Sequence, residues 1–239
     1  MLIRVINPNT SRAMTEKIGR TAREVAGPGV DVVTTCPAPG AGPAAVESHT
    51  DEAWAALAVA QEVADARADG FVVACFGDPG VDAARELATG PVIGIAEAAM
   101  HVATLSGRTF AVVTTLSRTL GRAHDLIRRH GFEDACVATY AADVPVLELE
   151  CPGSAARETI AALGERAVRE DGADSVVLGC AGMTDLCAEL TERLGVPVID
   201  GVAAAVGLVA GMVRMGVGTS KRDEYAPPPR PPASTTATT

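Results

Sequence analysis

Two cysteines carry the most chemical promise in this chain. Cys75 ends the run Phe71-Val72-Val73-Ala74, and Cys180 ends Val176-Val177-Leu178-Gly179; small or turn-forming residues follow each, Phe76-Gly77-Asp78-Pro79-Gly80 and Ala181-Gly182-Met183-Thr184-Asp185. The two thiols lie 105 positions apart, and Ala68-Asp69-Gly70 aligns without a gap on Ala173-Asp174-Ser175 ahead of them. A lone cysteine at the end of a buried strand is more often a small hydrophobe than a nucleophile, but a duplicated one before two helix starts reverses that preference. Opposed thiols, one of them deprotonated, suit a proton transfer at a carbon next to a carbonyl. The thiolate takes the proton from one face and the thiol returns one to the other. A free thiol titrates near about 8.5, so a modest dipole or hydrogen-bond shift would bring the thiolate close to working pH. The enolate formed between the two steps needs donors aimed at its oxygen, and the backbone N–H groups at Gly77 and Gly182 are the expected ones. Asn7, Asn9, Thr114 and Thr115 follow the first strand of each half and are expected to fix the substrate's polar groups.

Those residues need a scaffold, and the same offset describes it. Pro91-Val92-Ile93 matches Pro197-Val198-Ile199 at 106, and Val5-Ile6-Asn7 matches Val112-Val113-Thr114 at 107. Ordered matches at nearly one offset point to two α/β halves of the same topology. Apolar runs predict strands at 2–6, 30–34, 70–75, 91–95, 109–114, 135–140, 174–179 and 196–199. Helical spacing predicts helices at 12–25, 51–68, 96–105, 117–130, 154–171, 184–194 and 201–214. The alternation reads as two pseudo-symmetric three-layer α/β domains with mostly parallel sheets and the site in the cleft between them. Residues 1–97 with a returning helix at about 203–216 form the first half, and 98–202 the second. Asp78-Pro79 reads as N-cap and first helical residue after Cys75, Thr184 as the N-cap after Cys180, and Thr50 or Asp51 as the cap of the helix at 51–68. The Pro/Gly-rich loop 35–50 lies outside this rhythm, and so does 217–239, whose composition predicts a disordered tail.

Composition removes other classes. The 239 residues are 48% hydrophobic but 3% aromatic, so the core is mainly Ala, Val, Leu and Ile, the material of parallel strands and close helix packing. A net charge of −10 without a Lys/Arg cluster argues against nucleic acid or an anionic membrane and for a small-molecule partner. No 18-residue apolar run is present, and the segment at 201–213 reads as a buried helix. Met1 to Ile6 lacks the pattern of a signal peptide, so a reducing cytoplasm and free thiols are expected. Cys36, Cys136, Cys151 and Cys187 have no duplicate and are expected to be structural, with Cys187 nearest the site. His49, His101, His124 and His130 show no metal-ligand spacing, and no phosphate-binding glycine motif is present.

Val5-Ile6-Asn7-Pro8-Asn9-Thr10-Ser11, Ala74-Cys75-Phe76-Gly77-Asp78-Pro79-Gly80, Gly94-Ile95-Ala96-Glu97-Ala98-Ala99-Met100, Asp143-Val144-Pro145-Val146 and Leu178-Gly179-Cys180-Ala181-Gly182-Met183 together resemble the hydantoin racemase family. That family is a branch of the aspartate/glutamate racemases that includes allantoin racemases. Residues 2–216 carry the resemblance. Glutamate racemases have Asn-Thr and Thr-His after their two cysteines, where Phe76-Gly77 and Ala181-Gly182 stand here. The resemblance implies Cys75 and Cys180 as the acid/base pair of a cofactor-independent, metal-free 1,1-proton transfer at C5 of a 5-substituted hydantoin, and a homo-oligomer. Allantoin is the alternative substrate. His49 stands near a position where members carry an aromatic residue, which leaves the preferred side chain open. Phe76 and Ala181 complete the expected substrate contacts, with the Phe76 ring either against the hydantoin or filling the wall. An amino-acid racemase, a bilobal ligand-binding protein and a thiol redox protein rank below this reading.

Overall fold

The valine-rich runs become eight short parallel strands in two sheets. A computed structural model describes residues 1–150 and 154–229. In the first half the order is β1 (Leu2–Ile6), α1 (Arg12–Ala26), β2 (Asp31–Thr35), α2 (His49–Asp65), β3 (Gly70–Val73), α3 (Val81–Leu87), β4 (Val92–Gly94) and α4 (Ile95–Ser106). The second half runs β5 (Phe110–Thr114), α5 (Leu120–Arg129), β6 (Cys136–Ala141), α6 (Ala156–Arg169), β7 (Ser175–Leu178), α7 (Cys187–Leu194), β8 (Val198–Ile199) and α8 (Gly201–Arg214). The sheets are ordered β2-β1-β3-β4 and β6-β5-β7-β8, one pattern used twice. The register repeats as well: Ile3 pairs with Gly70 and Ile6 with Val73, as Phe110 pairs with Ser175 and Val113 with Leu178. The two cysteines therefore leave equivalent strands at equivalent heights.

Helices cover both faces of the inner strands, which explains why every residue of β3, β5 and β7 is buried. Edge strands β2 and β6 are half-exposed throughout. Met14, Ile18, Ala22 and Ala26 recur every fourth residue on the inner face of α1. The helix opens with the Ser11 hydroxyl accepting from the Met14 N–H at 3.1 Å and closes at Gly27 with φ of 72°.

The two halves exchange helices. α4 leaves the first sheet and packs on β5, β7 and β8 of the second, its Ala96, Ala99, Met100 and Ala103 buried with Phe110, Val112 and Val177. α8 leaves the second sheet and covers β1, β3 and β4 of the first through Val202, Ala205, Val206 and Val209. The exchanged helices also pack on each other.

Several local expectations change. The short helix α3 is absent from the predicted set because seven residues hold too little periodic pattern. Asp78 does not cap it: Gly80, at φ of 73°, occupies that N-cap. Asp78, at φ of 47°, instead turns its carboxyl group onto the N–H groups of Ala96 and Glu97 at 3.0 and 2.9 Å, capping α4 across the loop. A Cβ at Gly94 would fall 2.2 Å from that carboxyl group, so the approach requires glycine. α2 begins at His49 under the hydroxyl of Ser48, not Thr50 or Asp51. Thr184 sits inside a 3₁₀ turn at Ala181–Leu186, where its hydroxyl bonds the Asp200 carboxylate at 2.5 Å, and α7 starts only at Cys187.

Part of the chain beyond α8 is also placed. Residues up to 229 return over the first half: Lys221 bonds the carbonyls of Arg85 and Glu86, and the Tyr225 hydroxyl donates to Asp82 at 3.0 Å. The composition of 217–239 hid these few polar anchors; 230–239 lie outside the described residues, as does Cys151.

Candidate active site

A cavity of about 190 Å³ opens between the halves, and Cys75 and Cys180 both line it. Each cysteine sits two residues past its strand, where the chain leaves the sheet. Gly179 must be glycine for this, since a Cβ there would lie 2.7 Å from the Cβ of Thr114 on the neighbouring strand. Of the expected contacts, Asn9, Phe76, Gly77, Thr114, Thr115 and Ala181 also line the cavity.

Asn7 and Gly182 do not line it. Asn7 is buried one layer back, and its side-chain amide donates to Asn9 Oδ1 at 2.9 Å and Thr15 Oγ1 at 3.0 Å. Asn9 Oδ1 also accepts from the Ser11 N–H at 2.9 Å. With its oxygen so held, Asn9 leaves its Nδ2 facing only the Met14 sulfur at 3.4 Å, a weak acceptor. A strong donor is thus left available in the cavity. The Thr114 hydroxyl is taken by the Gly179 carbonyl at 2.9 Å, whereas the Thr115 hydroxyl has no partner among the described residues.

The glycine N–H groups do something other than expected. Each chain turns sharply after its cysteine, so the N–H two residues on points back at sulfur. Gly182 N–H donates to Cys180 Sγ at 3.4 Å, and the Gly77 N–H favours the Cys75 thiolate electrostatically. The Gly182 N–H is thus engaged by sulfur in the cleft.

Electrostatics also correct the expectation of thiols poised near neutrality. Both cysteines are partly accessible from the cavity but walled in by protein on every other side. Burial pushes Cys75 up to about 12, opposed by the Gly77 N–H and reinforced by the charges of Cys180, Asp78 and Glu52. Burial likewise pushes Cys180 up to about 11, opposed by the Gly182 N–H and the Lys17 cation. Desolvation outweighs the turn's hydrogen bond in each case. The Cys180 thiolate disfavours that of Cys75, so the two thiols interact across the cavity. Behind Cys75, burial and the Glu97 carboxylate push Asp78 up to about 8.

Phe76 meets both roles: its ring borders the cavity and also inserts into the second half's core beside Ala123 and Ile127. Cys187 does not line the cavity; its thiol donates to the Val198 carbonyl at 2.8 Å within the core around β8. Sequence reasoning missed the charged mouth of the cavity. Glu52 of α2 pairs with Arg122 of α5 at 2.7 Å, and Arg118 and the exposed His49 stand on the same rim. No group of three His, Cys, Asp or Glu side chains among the described residues is placed to hold a metal ion.

Known proteins share this architecture. Residues 3–209 match the family described as Asp/Glu/Hydantoin racemase. A hydantoin racemase of Paenarthrobacter aurescens is 40% identical over 232 residues, covering 95% of this chain and 98% of its own. The structure of an allantoin racemase from Klebsiella pneumoniae aligns with a TM-score of 0.93 at 51% identity, over 96% of this chain and 94% of its own. Another allantoin racemase structure, from Pseudomonas fluorescens, aligns at 0.92 with 40% identity over 96% and 98%. Two like-registered parallel sheets with a cysteine at the end of each third strand, together with these matches along nearly the whole chain, identify a racemase, an isomerase of the Asp/Glu/hydantoin racemase family.

Proposed function

We propose that the protein racemises 5-substituted hydantoins at C5 by two-cysteine proton transfer, with the ureido-substituted hydantoin, allantoin, as its preferred substrate. The observation that carries the reaction is the presence of both duplicated thiols on one cavity. In one direction the Cys75 thiolate takes the C5 proton, the C–H electron pair moves into the C5–C4 bond, and the C4 carbonyl becomes an enolate. The Cys180 thiol then gives its proton to the opposite face of C5, leaving Cys180 as the thiolate and Cys75 as the thiol. The reverse direction exchanges the roles. Asn9 Nδ2 and the Thr115 hydroxyl are the donors available to the ring oxygens where charge develops. Ring N–H groups that the substrate brings to the cleft offset part of the cost of the buried thiolate.

The 5-substituent follows from the rim. Ser48, Glu52, Arg118 and Arg122 offer both acceptors and donors to the N–H groups and carbonyl of a ureido chain. The 51% identical neighbour, itself an allantoin racemase, supports the same choice. Val46, Ala123 and Val146 on the same walls favour the second reading, an alkyl or aryl substituent. Time-resolved polarimetry on single enantiomers of allantoin, an alkylhydantoin and benzylhydantoin decides between them. Allantoin should be racemised with the highest kcat/KM, and faster turnover of the alkyl or benzyl compound would reverse the preference. No catalysed loss of rotation with any of the three would end the racemase reading.

A further inference from the structure

A second pair of side chains bridges the cleft, one from the first helix of each half: Lys17 of α1 and Arg122 of α5. Each reaches from its own half to the other's thiol loop. Lys17 Nζ donates to the Gly182 carbonyl at 3.1 Å, with further bonds to the Leu149 carbonyl at 3.4 Å and Asp185 Oδ1 at 3.2 Å. Arg122 donates to the Gly77 carbonyl through Nε at 2.9 Å and Nη2 at 2.8 Å, and Glu52 holds the same guanidinium. The gripped residue is in both cases the glycine two positions after the cysteine: Gly182, whose N–H donates to Cys180 Sγ at 3.4 Å, and Gly77, whose N–H favours the Cys75 thiolate. A glycine has the widest backbone freedom of any residue, so a donor borne on one must be held from outside to keep its direction.

We propose that Lys17 and Arg122 are a pair of positioning residues, each holding the glycine carbonyl beside the opposite half's cysteine and so keeping that glycine's N–H aimed at the sulfur. The arrangement makes each thiol's environment depend on the other half being docked against it. Closure buries each thiol, and the glycine N–H held from the opposite half offsets part of that cost. Neither cation is assigned contact with the reacting carbon. The inference rests on the reading of the two thiols as the acid/base pair.

The test is iodoacetamide alkylation of the full chain at about pH 8, with the Cys75 and Cys180 peptides counted separately by mass spectrometry. Lys17→Met should slow labelling of Cys180 about threefold to tenfold, the worth of one hydrogen bond, and leave Cys75 within about twofold. Arg122→Met should do the reverse. Arg122→Lys and Lys17→Gln keep a single donor and the cleft packing, so they preserve the test where a Met variant does not fold. Each should slow its own thiol by about twofold to threefold and spare the other. Faster labelling of the gripped thiol, as simple opening of the cleft would give, or equal effects on both thiols, or no effect, overturns the proposal. Labelling needs no substrate, so the two readings fail separately. A chain that labels as expected yet racemises no hydantoin overturns the proposed function alone; one that racemises with unmoved labelling overturns this inference alone.

Discussion

At the scale of residues, the site turns on how a thiol behaves when one hydrogen bond competes with desolvation. With burial pushing Cys75 up to about 12 and Cys180 up to about 11, each thiolate is a minor species in the empty cleft at neutral pH. Below its pKa a thiol's ionised fraction grows tenfold per pH unit. Alkylation of both should therefore keep rising by nearly that factor from about pH 7 to about pH 10, where a free thiol near about 8.5 would level off. A plateau near that value, read by mass spectrometry, would show the burial to be relieved in solution. On the proposed two-thiol mechanism, replacing either sulfur by oxygen removes one proton carrier. Cys75→Ser and Cys180→Ser are each expected to lose racemisation by at least about 100-fold, while one still exchanges the C5 proton with D₂O from its own face. NMR of the recovered substrate reads that exchange, and full racemase activity in both variants would refute the two-thiol mechanism.

Among the elements, the loop after β3 is the one most committed to a single geometry. It places Cys75, sends the Gly77 N–H back to sulfur, and ends in Asp78, whose carboxyl group closes the N-terminus of α4. Asp78 is pushed up to about 8, so near neutrality most of it is protonated and its role is that of an acceptor from two N–H groups, not of a charge. Asn tolerates φ of 47° but keeps only one of the two acceptor oxygens that Asp78 uses. Asp78→Asn should therefore cost about 0.5–1 kcal/mol, the worth of one hydrogen bond, while Asp78→Ala should cost about 1–2 kcal/mol by losing the whole cap. Urea denaturation distinguishes the two, and equal losses would show that the charge matters after all. Because the folded carboxyl pKa is raised, its stabilising contribution is complete below the ordinary Asp range and declines as pH rises through about 8. The denaturation midpoint of the native chain should fall over that interval more than that of Asp78→Asn.

For the whole molecule the exchanged helices matter most. α4 supplies core to the second sheet and α8 to the first, so neither half keeps a complete set of layers without the other. Calorimetry should give one unfolding transition with equal van't Hoff and calorimetric enthalpies; two resolved transitions would show independent halves. Removing residues 201–239 takes away Val202, Val206 and Val209, all fully buried against the first sheet, and should abolish cooperative unfolding. Ending the chain at 229 should leave it intact, because Tyr225 and Lys221 keep their anchors.

Strand positions, the duplication and both cysteines were legible in the sequence because they depend on local pattern: apolar runs such as Phe71–Ala74, their repetition 105 residues on, and a thiol at the end of each. Asn9 and Thr115 were legible for the same reason, as residues just past a first strand. What escaped was decided by contacts between distant segments. Asp78 faces a helix that starts 17 residues later, the Gly77 and Gly182 donors serve sulfur because of how the loops turn, and Glu52 meets Arg122 only across the cleft. Lys17 and Arg122 each stand on the first helix of their half, but only the tertiary structure shows that each reaches into the opposite half. Local propensity and periodicity act over a few residues, so they determined which elements form and where each thiol stands in its strand. Burial, side-chain direction and the pKa of each thiol depend on the summed surroundings, and these exist only once the two halves have closed on each other.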